Sequence, residues 1–115
     1  MIQIVPQMTI LLATSPIDFR RGMDSLISYC RDLAQEPFSG SLFIFRNRSG
    51  TSIKMLVYDS TGFYLIIKRF SEGRLKWWPS SNEALTSLAA RELYVILYNG
   101  IPSSAQFAEP WRSLH

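Results

Sequence analysis

The spacing of apolar positions changes several times along the chain. Residues 9–14 (TILLAT) form a short continuous apolar run and predict a strand. Ser15-Pro16-Ile17-Asp18 follows with the marks of a helix start. A hydroxyl and a carboxylate there can accept from free backbone N–H groups, and the proline has none to satisfy. From Phe19 the apolar residues Met23, Leu26, Ile27, Cys30 and Leu33 recur in steps of three and four. That spacing places one stripe on a helix running to about Gln35. Gly22 weakens its first turns and leaves room for a separate turn ahead of it. Pro37-Phe38-Ser39-Gly40 ends the element.

Beyond Gly40 the pattern becomes that of strands. Residues 42–46, 52–58 and 63–70 are rich in aromatic and branched side chains, and NRSG and DSTG separate them. Both are four-residue turn signatures with glycine last. Ser71-Glu72-Gly73 turns into a further segment at 74–78. The expectation is an antiparallel β-meander of four to five strands, residues 9–14 supplying the fifth. A final helix is expected over about 88–98, with Leu85, Leu88, Ala89, Leu93, Ile96 and Leu97 on one side. Asn99-Gly100 stops it and Pro102 prevents its resumption. The predicted class is α+β, with both helices packed on the sheet. One domain spans 1–102 and a loosely ordered tail spans 103–115.

Strand parity indicates where charge can go. Pairing Asn47 with Gly50 sets Arg46 opposite Thr51 and gathers Leu42, Ile44, Ile53, Met55 and Val57 on one face. Phe43, Phe45, Lys54, Leu56 and Tyr58 fall on the other. Neither face is free of large apolar groups, so the sheet is expected to be covered on both sides near its middle. Long cationic side chains then reach water at strand ends. Pairing Asp59 with Gly62 brings Lys68 and Arg69 close to the Arg46 end.

Composition sharpens this picture. At 115 residues, 47% apolar and 18% charged, the chain is one globular domain. It can bury roughly 65% of the surface its unfolded form exposes. The formal charge of +3 is unevenly spread. Arg46, Arg48, Lys54, Lys68, Arg69, Arg74 and Lys76 are opposed between positions 46 and 76 only by Asp59 and Glu72, a local net of +5. The remainder, with five basic and seven acidic residues, sums to −2. Such asymmetry favours a polyanionic partner, and these seven cations are the candidate nucleic-acid contacts. The plainer reading is that they are solvated strand ends that discourage edge-to-edge association. Eight of the fifteen aromatics lie between Phe43 and Trp78, where core packing and base stacking compete as explanations. Trp77 and Trp78 are adjacent, so a strand would point them to opposite faces and leave one as a contact residue.

Catalytic chemistry finds little support. Asp18, Asp24, Asp59, Glu83 and Glu92 are the candidate carboxylates for holding divalent ions, but no spacing brings them together. Asp18 fits a helix start, Asp24 a first-turn acid, Asp59 a turn and Glu92 an exposed helix position. The lone histidine, His115, is the last residue, so no Ser-His or Cys-His nucleophile is expected. Cys30, the single cysteine, sits on the apolar helix stripe and excludes an intramolecular disulfide. None of the glycines forms a phosphate loop. Neither catalytic residues, a metal nor a cofactor is expected. The first residues, MIQIVPQ, lack a basic segment and are interrupted by Pro6, which argues against an export signal. No run approaches the roughly 20 apolar residues of a membrane span, and a cytoplasmic location is the expectation.

Three motifs in order, SPIDFRRGMDSL, PFSGSLFIFRNRSGTSIKMLVYDSTGFYL and KRFSEGRLKWWP, resemble the accessory-protein family of the insertion sequence 66 elements. Its members, called TnpB, are the products of the second open reading frame. The likeness runs from about Thr9 to Pro102. Ser25 and Ser49 stand where members often carry glycine and a more basic residue. The resemblance implies a non-catalytic role in transposition beside a separately encoded transposase that holds the acidic catalytic residues. The expected partners are DNA, at element ends or target, and the transposase or other element-encoded proteins. Docking on a protein partner without DNA contact is the alternative, with Phe19, Arg20, Arg21, Trp77, Trp78 and the C-terminal helix as the candidate surface.

Overall fold

The computed structural model describes residues 8–33 and 35–101. The expected tail over 103–115, with His115, lies outside the described residues. TILLAT forms the strand Ile10–Ala13 (β1), and the helical stripe forms Met23–Asp32 (α1). The three aromatic and branched runs form Leu42–Arg46 (β2), Ser52–Tyr58 (β3) and Phe63–Arg69 (β4). Leu85–Ser87 (β5) and Ala90–Leu97 (α2) complete the chain. The expected α+β class holds. The sheet has five strands in the order β4-β3-β2-β1-β5 and is mixed: β1 runs parallel to β2, and every other pairing is antiparallel.

Two elements differ from expectation. Residues 74–78 are not a strand. They cross the end of the sheet, and the fifth strand is instead Leu85–Ser87, which pairs with β1 at the opposite edge from β4. Leu85 thus leaves the final helix and pairs with Ala13. The first helix begins at Met23, not at Phe19. Ile17 bridges to Asn47 beside β2, and Asp18 closes a tight turn by accepting from the Arg20 N–H at 2.9 Å. Asp18, read as part of a helix start, therefore closes a separate turn, with Gly22 as the residue preceding the helix.

The strand parity holds although the first turn is wider than expected. Arg46 lies opposite Ile53, two residues beyond the anticipated Thr51, and an even slip leaves every side chain on its face. Ile10, Leu12, Leu42, Ile44, Ile53, Met55 and Val57 meet Leu88, Leu93 and Ile96 from α2 and the residues leading into it. Phe43, Phe45 and Leu56 on the reverse meet Leu26 and Cys30 of α1. Each helix covers one face, and β2 and β3 are buried on both.

α2 starts with the Ala89 N–H donating to the Glu92 carboxylate at 2.9 Å, so Glu92 closes the helix start. It ends in a Schellman arrangement: Gly100 N–H donates to Val95 O at 2.7 Å and Asn99 N–H to Ile96 O at 3.0 Å, with Asn99 left-handed at φ 55°. Burial pushes the Cys30 thiol up to about 11. Native protein at pH 8 is accordingly expected to resist a thiol reagent that modifies the denatured chain fully; rapid modification of the folded protein would contradict this placement.

Candidate nucleic-acid interface

The hairpin joining β2 to β3 is shaped by one side chain. Asn47 Oδ1 accepts from Thr51 N–H at 2.9 Å and Ser52 N–H at 3.1 Å, while its Nδ2 donates to Thr51 Oγ1 at 2.9 Å. Gly50 sits in the left-handed region at φ 71°, which a β-carbon would strain. The Gly50 carbonyl accepts from Leu75 N–H at 2.7 Å. Through that bond the crossing segment is anchored to the hairpin tip, with Arg74 beside Gly50.

A second anchor comes from the end of α2. The Asn99 side chain accepts from Lys76 N–H at 2.9 Å and donates to Arg74 O at 3.0 Å. Arg74 and Lys76 are thus fixed on either side of Leu75. From β4, Lys68 lies beside Ile53 and Arg69 beside Ser52 in the register, so both reach the end of the sheet where Arg46 leaves β2. Six of the seven sequence-predicted cations gather at this end. Arg48, Arg69, Arg74 and Lys76 are exposed, and Arg46 and Lys68 are partly covered. Among the described residues none of the six is paired with an acidic side chain.

The covered pair has structural work. The Lys68 ammonium donates to the Leu97 carbonyl at the end of α2 and lies over the rings of Phe70 and Tyr98, 5.7 and 5.5 Å from their centroids. Its charge offsets the negative end of the helix dipole, which would otherwise repel an approaching anion. The Arg46 guanidinium lies 6.0 Å from the Trp78 ring and donates to Asn47 O at 3.3 Å.

Lys54 departs from the set. It is on the α1 face, only 6% exposed, and its Nζ donates to Phe19 O at 3.0 Å and Arg21 O at 2.8 Å. Parity sends it inward, and a buried ammonium must be satisfied internally. It pins the turn before α1 and cannot reach a phosphate from there.

The expected protein-docking residues are also largely engaged. Phe19 lies under the Lys54 ammonium at 4.8 Å, and Arg21 lies over Tyr29 at 5.6 Å. Arg20 is paired with Asp18 at 2.6 Å, which holds that carboxyl down to about 2. Trp77 and Trp78 both pack against the α2-side core, because strand alternation does not apply to a segment that is not a strand. The Trp78 indole N–H donates to Ala13 O at 2.9 Å.

Asp59 Oδ1 accepts from Thr61 N–H, Thr61 Oγ1–H and Gly62 N–H, and its pKa is lowered by these bonds, those from Thr61 first. Among the described residues no group of three or more His, Cys, Asp and Glu comes together. No helix among them is long and apolar enough to cross a membrane. Sequence reasoning missed Tyr98 and Asn99 as parts of this end. Asn99 was legible only as a helix stop, since its clip to the crossing segment spans 23 residues.

The IS66 Orf2-like family matches residues 8–106. The chain belongs to that family. Among curated proteins it is 33% identical over 87 residues to the uncharacterized protein y4hO of Sinorhizobium fredii strain NGR234, covering 75% of each chain. It is 32% identical over 77 residues to the uncharacterized protein y4jC of the same strain, covering 66% of each. No solved structure matches. Membership in the IS66 Orf2-like family carries a transposition-associated accessory role and an association with the transposition machinery.

Lys54→Met, which keeps the apolar stem but strands two carbonyls, is expected to cost about 2–3 kcal/mol in urea unfolding. A loss below about 0.5 kcal/mol would refute the anchoring role. Asp18 is expected to titrate near 2 by NMR and to return toward the ordinary carboxylate range in Arg20→Ala. Because its folded pKa is depressed, its contribution is complete above about pH 4. It disappears as pH falls through about 2.

Proposed function

We propose that this IS66 Orf2-like protein is a non-enzymatic accessory factor that binds DNA through the cationic end of its sheet. One observation carries the reading: Arg48, Arg69, Arg74 and Lys76 are exposed at that end without acidic partners among the described residues. The β2–β3 hairpin meets the end of β4 and the crossing segment there, although roughly 20 or more residues separate it from them in sequence. Phosphates are the fitting ligands, because contacts of this kind position a duplex without reading its sequence. The carboxylates Asp18, Asp59 and Glu92 are each tied to a local turn or helix start, which supports a role without metal-dependent chemistry. A role on chromosomal or element DNA implies a cytoplasmic location as part of this reading.

Docking on the transposase through Phe19, Arg20, Arg21, Trp77 and Trp78 has weaker support. The three aromatic rings are half-buried and already packed, and Arg20 is neutralised by Asp18. Co-purification with the transposase in nuclease-treated extract, surviving Arg48→Ala/Arg74→Ala, would favour docking over DNA binding.

Fluorescence anisotropy on duplex DNA tests the main reading. With about four phosphate contacts, affinity is expected to fall about 150-fold between 50 and 200 mM salt. Arg48→Ala/Arg74→Ala should reduce the slope of log affinity against log salt by about 2. Absence of binding to both duplex and single-stranded DNA at low salt, or a flat salt response, would eliminate the proposal.

A further inference from the structure

Beside the cationic end lies an open groove of about 340 Å³ between the end of β4 and the end of α2. Lys68, Arg69, Phe70, Leu97, Tyr98 and Asn99 line it, with Ser71 and Glu72 at the loop side. Tyr98 is the most exposed large apolar residue described, at 77%. It keeps that exposure although the Lys68 ammonium lies 5.5 Å from its centroid. An isolated exposed tyrosine is ordinary. This one differs in setting: Arg69 lines the same groove, and Asn99 holds the backbones of Arg74 and Lys76 at its margin.

We infer that this groove takes a single-stranded segment of DNA, with one base stacked on Tyr98 and the flanking phosphates on Arg69, Arg74 and Lys76. The inference rests on the DNA-binding reading above and narrows its ligand. An aromatic face flanked by cations suits an unpaired base with its backbone, and stacking is indifferent to base identity. A duplex cannot use the ring in this way, since its base faces are covered by neighbours and exposing one costs unstacking energy. The Lys68–Leu97 contact fits the same ligand. It fixes the C-terminal turn of α2, which presents Tyr98, and cancels the local negative potential of the helix end. Glu72 is the one acid lining the groove.

The test is anisotropy with a labelled oligothymidine strand, the same strand carrying one abasic site at each successive position, and a duplex of equal length. Tyr98→Ala is expected to weaken single-strand binding about 5- to 150-fold, as for loss of one base stack. Tyr98→Phe should bind like the parent protein. Tyr94→Ala, which removes another exposed tyrosine outside the groove, should also bind like the parent. Duplex binding should be unchanged by Tyr98→Ala, and one abasic position should reproduce the loss in the parent while leaving Tyr98→Ala unaffected. Tyr98 is exposed, so its substitution leaves the core intact, and an unchanged circular dichroism melt verifies this. Equal weakening of single strand and duplex by Tyr98→Ala, or no weakening of either, overturns the stacking site while salt-dependent duplex binding leaves the broader proposal standing. Failure of the parent protein to bind either form overturns both.

Discussion

Phe43, Ile44, Phe45, Ile53 and Leu56 are almost wholly withdrawn from solvent, and they alternate between the two faces of the same pair of strands. A sheet closed on both sides by helices offers no lateral exit for charge. Charged groups in β2 and β3 must leave at the strand ends or be satisfied within. Lys54 illustrates the second outcome. Its ammonium is tolerated only because two carbonyls of the turn before α1 converge on it. Arg46 illustrates the first, and the register brings Lys68 and Arg69 of the neighbouring β4 to the same end.

That end is assembled from parts distant in sequence. The Gly50–Leu75 hydrogen bond joins the hairpin to the crossing segment, Asn99 joins that segment to α2, and Lys68 joins α2 back to β4. Trp78 extends the closure to β1 through Ala13. These polar links hold the backbones of Arg74 and Lys76 in place while their side chains stay in solvent. An anchored backbone bearing long exposed cationic side chains suits phosphate binding, since such side chains can adjust to a phosphate backbone of variable path.

Membership in the IS66 Orf2-like family sets the biological frame, an accessory role in transposition distinct from that of a catalytic transposase. Three acids of this chain have local structural duties. Asp18 serves a turn, Asp59 serves the β3–β4 hairpin, and Glu92 serves the start of α2. Each is committed where local sequence places it.

Local pattern by itself determined the α+β class, the three meander strands, the stripe of α1 and the faces of β2 and β3. Those features follow from periodicity, and parity survives an even slip in register. The DSTG turn was legible in full, because its hydrogen bonds run between neighbours. The parallel pairing of β1, the placing of β5 and the path of 74–78 were decided only by tertiary structure. Residues 74–78 look strand-like because Leu75 and Trp77 alternate with Arg74 and Lys76, but the two indole rings both pack on the α2-side core. The candidate site divides in the same way. The count and sign of its cations were written in the sequence. The removal of Lys54 from solvent, and the meeting of Tyr98 with Lys68, depended on contacts across 29 or more residues, which no local pattern encodes.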